Sequence, residues 1–184
     1  SNVAPEVEPV LMDAMRHHPR VFLPGVPALW KAWLMGEVRF SNVSLAISAG
    51  SSLTLKLERL ALEQHALKIH NLYGTSECGT VSWDDSAVLR EDERDLGTLL
   101  PGVTVQNEPD GRLSVTSSST GLGYDQTLPN ERYGGGVFTT CDQIELRDGH
   151  LLFQQSLGAG INVAGRKLSP AEIAKKIQQA AGLA

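Results

Sequence analysis

Asn71-Leu72-Tyr73-Gly74-Thr75-Ser76-Glu77-Cys78-Gly79 follows a short apolar segment, Leu67-Lys68-Ile69-His70, that reads as a buried strand. The pattern predicts a strand emptying into a polar loop. That loop would hold an aromatic ring, a glycine, two adjacent hydroxyls and one carboxylate. A ring offers a stacking face, hydroxyls donate to phosphate, and a carboxylate can hold a divalent cation. The same residues also suit an ordinary polar strand-to-loop turn, and on these residues alone neither reading prevails.

Working outward, Val43–Ile47 reads as another buried strand, followed by Ser48-Ala49-Gly50-Ser51-Ser52. A helix is expected from about Leu53 to His65, with Leu53, Leu57 and Leu60 on one face and a serine as N-cap. Strand, glycine-serine turn and helix form a βα unit, so a parallel layer is predicted. In open parallel sheets ligands bind beyond the carboxyl ends of strands. Both Ser48–Ser52 and Asn71–Glu77 leave strands at that end, which argues for one shared site. Upstream, Val7, Val10, Leu11, Ala14 and Met15 recur at helical spacing. Val21-Phe22-Leu23 reads as a strand stopped by Pro24-Gly25. Pro27 suits the start of a helix that ends at Gly36, with Trp30 and Trp33 as core residues.

Past Asp84-Asp85 the character changes. The charged run Arg90–Asp95 reads as a solvated connection. Short β-rich segments then alternate with turn signals: Val103–Gln106, Arg112–Thr116, Val137–Thr140, Ile144–Arg147 and Leu151–Gln154. Gly134-Gly135-Gly136 lacks the Lys-Ser/Thr tail of a P-loop and reads as a turn. Ile161–Val163 is an expected strand, Gly165-Arg166-Lys167 a basic turn, and Ser169-Pro170-Ala171-Glu172 a capping box opening a last helix. Gly158-Ala159-Gly160 looks like a joint before this unit. The expected class is therefore α/β: a parallel α/β layer, then a small antiparallel β-sheet or barrel, then the start of a mobile α+β C-terminal unit. Boundaries are expected near residues 1–95, 96–157 and 158–184.

Composition narrows the function. The 184 residues carry a net charge of −5, and nucleic-acid binding needs clustered Lys and Arg, so no nucleic-acid partner is expected. No apolar run approaches the roughly 20 residues of a membrane span, and no signal peptide opens the sequence. Cys78 and Cys141 lie far apart without metal-type spacing. A cytoplasmic protein with reduced thiols is the simplest expectation.

The opening stretch closely resembles the Tyr-Gly-x-Thr/Ser-Glu motif of the adenylate-forming superfamily, which includes acyl-CoA synthetases and other AMP-forming ligases. Three further segments agree, in order. Ser48-Ala49-Gly50-Ser51-Ser52-Leu53 is similar to the Ser-Gly/Ala-Gly-Ala-Pro-Leu turn. Phe138-Thr139-Thr140-Cys141-Asp142 resembles Tyr/Phe-x-Thr-Gly-Asp. Ile161 to Ile173 resembles the opening of the mobile C-terminal domain.

The resemblance implies an AMP-forming acid-thiol ligase that uses ATP and Mg2+ to activate a fatty or other carboxylic acid as acyl-AMP. CoA or a carrier protein would then accept the acyl group. It further implies that Tyr73 stacks on adenine, Ser76 meets the α-phosphate, Glu77 binds the magnesium ion and Asp142 grips the ribose. Asn71, Gly74 and Thr75 would belong to the same nucleotide loop, Gly50 and Ser51 would line the adenine and acyl side, and Lys167 would sit in the loop for thioester formation. Ser76 is not expected to be a nucleophile, because Gly74-Thr75-Ser76-Glu77-Cys78 misses the Gly-x-Ser-x-Gly elbow.

Departures are expected to matter. A Ser/Thr/Gly-rich phosphate loop ending in lysine would lie upstream of Ser1, and the C-terminal lysine beyond Ala184. Gln155-Ser156 stands where the family has Gly-Arg, and Cys141 where it has glycine. The sequence therefore supports two readings: a portion of a ligase, inactive by itself, or a degenerate non-catalytic scaffold. An exposed sheet edge would also favour a homo-oligomer.

Overall fold

The computed structural model describes residues 11–13, 15–124, 133–157, 161–163 and 166–168. Residues 11–13 and 15–17 are helical, and Leu11 and Met15 are buried as the spacing predicts. Strand β1 (Val21–Gly25) runs on through Pro24. A proline is tolerated there because β1 is an outer strand of its sheet. Pro27 opens helix α1 (Pro27–Met35), which buries Trp30, Trp33 and Leu34. The two indoles meet edge to face at 5.2 Å, and Trp30 Nε1 donates to Ile47 O at 3.0 Å. They are core, as expected.

Strand β2 (Val43–Ser48) pairs in parallel with β1. Helix α2 (Leu55–His65) starts two residues later than its apolar face suggested, and its N-cap is Thr54 rather than a serine. The Thr54 hydroxyl accepts from Leu57 N at 3.3 Å. Strand β3 (Ile69–Thr75) pairs in parallel with β2. It runs straight through Asn71–Thr75, so the expected loop is mostly strand, and only residues 76–78 turn. The cause is a strand invisible to periodicity: β4 (Gly79–Trp83) returns antiparallel along β3 and keeps it extended.

The remaining strands are β5 (Asp95–Leu99), β6 (Thr104–Asn107), β7 (Arg112–Thr116), β8 (Tyr133–Gly134), β9 (Val137–Arg147) and β10 (His150–Ser156). They continue the same sheet. Its order is β1-β2-β3-β4-β5-β10-β9-β7-β6, with β8 on β9. The expected antiparallel part is present as a sheet: it continues the parallel layer edge to edge and does not close into a barrel. Val137–Thr140 and Ile144–Arg147 merge into one strand, β9, with a bulge where Arg112↔Gln143 gives way to Ser114↔Thr139. Finally β11 (Ile161–Val163) pairs antiparallel with β12 (Arg166–Leu168). Arg166 and Lys167 are thus in a strand rather than a turn. Gly165, Gly158–Gly160 and the capping box at Ser169–Glu172 lie outside the described residues. Among the described residues no helix is long and apolar enough to cross a membrane.

Two apolar clusters underlie the sheet. One gathers Leu23, Trp30, Ala46, Leu53, Ala61 and Ile69 beneath the helices. The other gathers Cys78, Val81, Leu113, Phe138, Ile144 and Leu151 beneath the antiparallel part. The charged run is not a solvated connection at its start, because Arg90 is buried. Its Nε donates to Glu58 Oε2 at 2.9 Å, and Lys68 donates both to Glu58 and to Asp84 Oδ2, the latter at 2.6 Å. Two carboxylates and two cations therefore neutralise one another between α2, β3 and the β4–β5 connection.

This network sets a pH dependence. Burial pushes the Asp84 carboxyl up, but hydrogen bonds from Lys68 and Ser86 and the Lys68 charge outweigh it, leaving Asp84 below 3.8. A depressed folded-state value means that the unfolded chain takes up the proton more readily. The stabilisation is complete above the unfolded value and is lost as the pH falls through the folded one. Asp84→Asn should therefore be less stable than wild type at pH 6, and the gap should narrow as the pH falls below about 4. Urea midpoints at several pH values test this; a gap constant with pH would refute it.

Candidate functional site

Parallel pairing of β2 and β3 places Ser48 opposite Asn71. The Ser48–Ser52 turn and the 76–78 turn therefore belong to one end of adjacent strands, as the shared-site argument requires. Gly50 lies exposed in its turn at φ +82, a left-handed conformation that glycine adopts without cost, and Ser51 beside it is half-buried.

Asn71 is buried and its amide donates to Asp95 O at 3.2 Å, so it anchors β5. Two residues on, Tyr73 packs against the second apolar cluster and its hydroxyl donates to Asp142 Oδ2 at 2.9 Å. Burial, and then the adjacent Asp142 carboxylate, push the Tyr73 phenol far above its ordinary value, so it stays a donor. These residues stand 69 positions apart in the chain.

The β9 bulge is what delivers Asp142. Thr140, itself buried, turns its hydroxyl onto the Asp142 backbone, donating to O at 3.0 Å and accepting from N at 3.2 Å. Cys141 is exposed at the same bulge and its backbone is not left-handed, so it replaces a glycine without strain.

A register shift between Tyr73 and Gly74 leads into the turn. Gly74 has β4 directly against it: a Cβ there would sit 2.4 Å from Gly79 O. Thr75 Oγ1 lies 3.3 Å from the buried Cys78 Sγ, and Ser76 is exposed at the tip. Burial pushes the Cys78 thiol up, so it is no nucleophile. The half-buried Glu77 accepts from the Tyr124 hydroxyl at 2.7 Å, and its carbonyl accepts from Gly121 N at 2.8 Å. A shallow cleft of about 330 Å³ runs along the hairpin, lined by Leu72, Gly74, Thr75, Ser76, Gly79 and Thr80. A second cleft, of about 350 Å³, lies among β6, β9 and β10 and shares no residue with these motifs. Two of its amides are already paired, Asn107 with Ile144 O and Gln154 with Glu145, so the hairpin cleft is the better candidate.

Two pairs are thus assembled, Tyr73 with Asp142 and Glu77 with Tyr124. Lys167 lies in β12, opposite Asn162. Among the described residues no group of three His, Cys, Asp or Glu could hold a metal ion. Glu77 is a single carboxylate, which suits a magnesium ion that draws its other oxygens from phosphate and water. Sequence reasoning passed over Thr140 as a positioning hydroxyl and Tyr124 altogether. Thr140 lies inside a quoted motif, but Tyr124 carries no periodic or spacing signal.

The fold has counterparts among solved structures. The amide bond synthetase McbA from Marinactinospora thermotolerans superposes with a TM-score of 0.75 at 21% identity, over 94% of this chain and 39% of that one. The anthranilate CoA ligase AuaEII, in complex with anthranoyl-AMP, gives 0.71 at 18% identity over 97% and 37%. ATP-bound MatB from Rhodopseudomonas palustris gives 0.69 at 20% over 93% and 37%.

This chain has part of the adenylate-forming fold.

It spans less than two fifths of the length of these adenylate-forming enzymes. No protein-family model matches the sequence, and no curated protein sequence does. At such identities the likeness establishes the fold. Within that adenylate-forming fold, the Tyr73–Asp142 pair, the Gly50 turn and the Glu77 turn are all formed.

Proposed function

We propose that this chain is the nucleotide-binding portion of an AMP-forming acid-thiol ligase that activates a carboxylic acid as acyl-AMP and passes it to CoA or a carrier protein. One observation carries the reading: the 2.9 Å hydrogen bond that joins Tyr73 to Asp142 across two separate motifs. In this reading the Tyr73 ring stacks on adenine while Asp142 accepts from the ribose hydroxyls. Ser76, exposed at the tip, donates to the α-phosphate, with Thr75 and Gly74 shaping the turn below it. Glu77 would hold a magnesium ion, which when bound would supply charge neutralisation for the phosphates, while the chain's own residues orient the nucleotide. Gly50 and Ser51 flank the acyl side, and Lys167 belongs to the unit that serves thioester formation. Neighbours with the same fold hold ATP or an acyl-AMP, which supports ATP and AMP as ligands.

A second reading has its own observation. Gln155-Ser156 stands where the family carries Gly-Arg, so neither residue offers a cation to a ribose, and the Gln155 amide donates to Gln143 Oε1 at 2.5 Å. That favours a nucleotide-binding scaffold without turnover.

Calorimetric titration with a non-hydrolysable acyl-adenylate mimic tests the site common to both. Saturable binding is expected, lost in a Glu77→Ala, Asp142→Ala double variant that keeps its circular dichroism spectrum. No binding by the folded wild type would refute the nucleotide site. Supplying the phosphate-loop portion of the adenylate-forming fold should give adenylation under the first reading and leave the chain inert under the second.

A further inference from the structure

The segment 117–124 lies against the 76–78 turn at several points. Ser117 Oγ donates to Cys78 O at 3.3 Å, Gly121 N donates to Glu77 O at 2.8 Å, and the Tyr124 hydroxyl donates to Glu77 Oε1 at 2.7 Å. Glu77 is thus gripped at its backbone and at its side chain by the same short segment. The grip is itself braced. The Tyr124 ring meets Tyr133 edge to face at 4.7 Å, and Tyr133 meets Phe138 of β9 at 5.2 Å. Gly121 permits this closeness, since a Cβ there would fall 2.1 Å from the Tyr133 hydroxyl. An aromatic ladder therefore ties the Glu77 carboxylate to the strand that presents Asp142.

We infer that Tyr124 is a positioning residue for a divalent cation: its hydroxyl donates to Glu77 Oε1 and restricts the orientation of the carboxylate that would hold the ion. The inference rests on the proposed role of Glu77. The physical reason is entropic and directional. A glutamate has three rotatable side-chain bonds, and a magnesium ion tolerates little error in ligand placement. Partners that orient a ligating carboxylate are worth about 10–100-fold in metal affinity. Tyrosine suits the task because its ring can be locked by neighbouring rings while its hydroxyl still donates.

The test uses the whole chain with Mn2+ as a spectroscopic substitute for magnesium and α,β-methylene-ATP as nucleotide. Free Mn2+ is read by electron paramagnetic resonance, and nucleotide affinity without metal by calorimetry. Tyr124→Phe keeps the ring ladder and removes only the donor. It should weaken Mn2+ binding about tenfold while leaving metal-free nucleotide affinity unchanged, a split that general loosening of the fold would not produce. Gly121→Ala should weaken Mn2+ at least as much by displacing the segment through the Tyr133 hydroxyl. If Glu77→Gln abolishes Mn2+ binding but Tyr124→Phe leaves it intact, or if Tyr124→Phe weakens both affinities equally, Tyr124 does not position the carboxylate and the role of Glu77 stands. If Glu77→Gln leaves Mn2+ binding intact, or the wild type shows none, the role of Glu77 falls and the inference with it.

Discussion

Arg90→Ala is expected to cost about 3–5 kcal/mol of folding stability, a large share of what a domain of this size has. Arg90 contacts three segments at once. Its Nε donates to Glu58 Oε2 at 2.9 Å, Nη2 to Leu53 O at 2.7 Å, and Nη1 to Asp95 O at 2.6 Å. Glu58 is fully buried, so without the guanidinium a carboxylate remains in the interior with Lys68 as its one cationic partner among the described residues, and Lys68 is already shared with Asp84. The Leu53 carbonyl, just before α2, also loses its donor. Urea unfolding followed by the fluorescence of buried Trp30 and Trp33 would measure the loss. Arg90→Lys should recover only part of it, because a single ammonium cannot span acceptors that a planar fork reaches together. A loss under about 1 kcal/mol for Arg90→Ala would show that Glu58 is not left as an uncompensated buried charge.

Gly74→Ala is expected to damage stability and ligand binding together. The added methyl would lie 2.4 Å from Gly79 O and 2.9 Å from Thr80 Cα, and both obstacles are backbone. Neither can rotate aside, so β3 and β4 must separate where the register already shifts. Overpacking of this kind costs about 1–3 kcal/mol. The displacement falls between Tyr73 and the Ser76-Glu77 tip, so affinity for the acyl-adenylate mimic should drop by more than tenfold even in the folded fraction. Gly50→Ala is the useful contrast. The nearest atom to its added methyl is Val26 Cγ1 at 3.5 Å, so only the φ of +82 resists, at a cost of about 1–2 kcal/mol. Equal affinities for Gly74→Ala and wild type would mean that the hairpin is not part of the site.

Much of this site was legible in one dimension, because its local parts follow rules of spacing. Val43–Ile47, the Gly50 turn and the α2 helix announce a βα unit by period and punctuation, and β1 and β2 sit as expected. Tyr73, Ser76, Glu77 and Asp142 are singled out by the order of four motifs, and the structure brings Tyr73 to Asp142. What failed were judgements that depend on a neighbour. The stretch from Asn71 to Thr75 looked like a loop because it is polar and contains glycine, yet β4 holds it extended. Arg90 looked solvated because it opens a charged run, yet Glu58 waits 32 residues upstream to neutralise it. Asn71 looked like part of a binding loop, yet it serves the Asp95 carbonyl.

The sequence by itself determined which chemistry-bearing side chains each segment carries, and that two of those segments lie beyond the ends of parallel strands. Those properties reside in residue type and short-range period, which a chain carries whether folded or not. Only the tertiary structure decided which of these groups meet. The Tyr73–Asp142 bond, the bulge that Thr140 imposes on β9, and the grip of Tyr124 on Glu77 join residues that are remote in the chain or leave no periodic mark. Their partners are chosen by strand register and burial, and these are settled only when the whole sheet assembles.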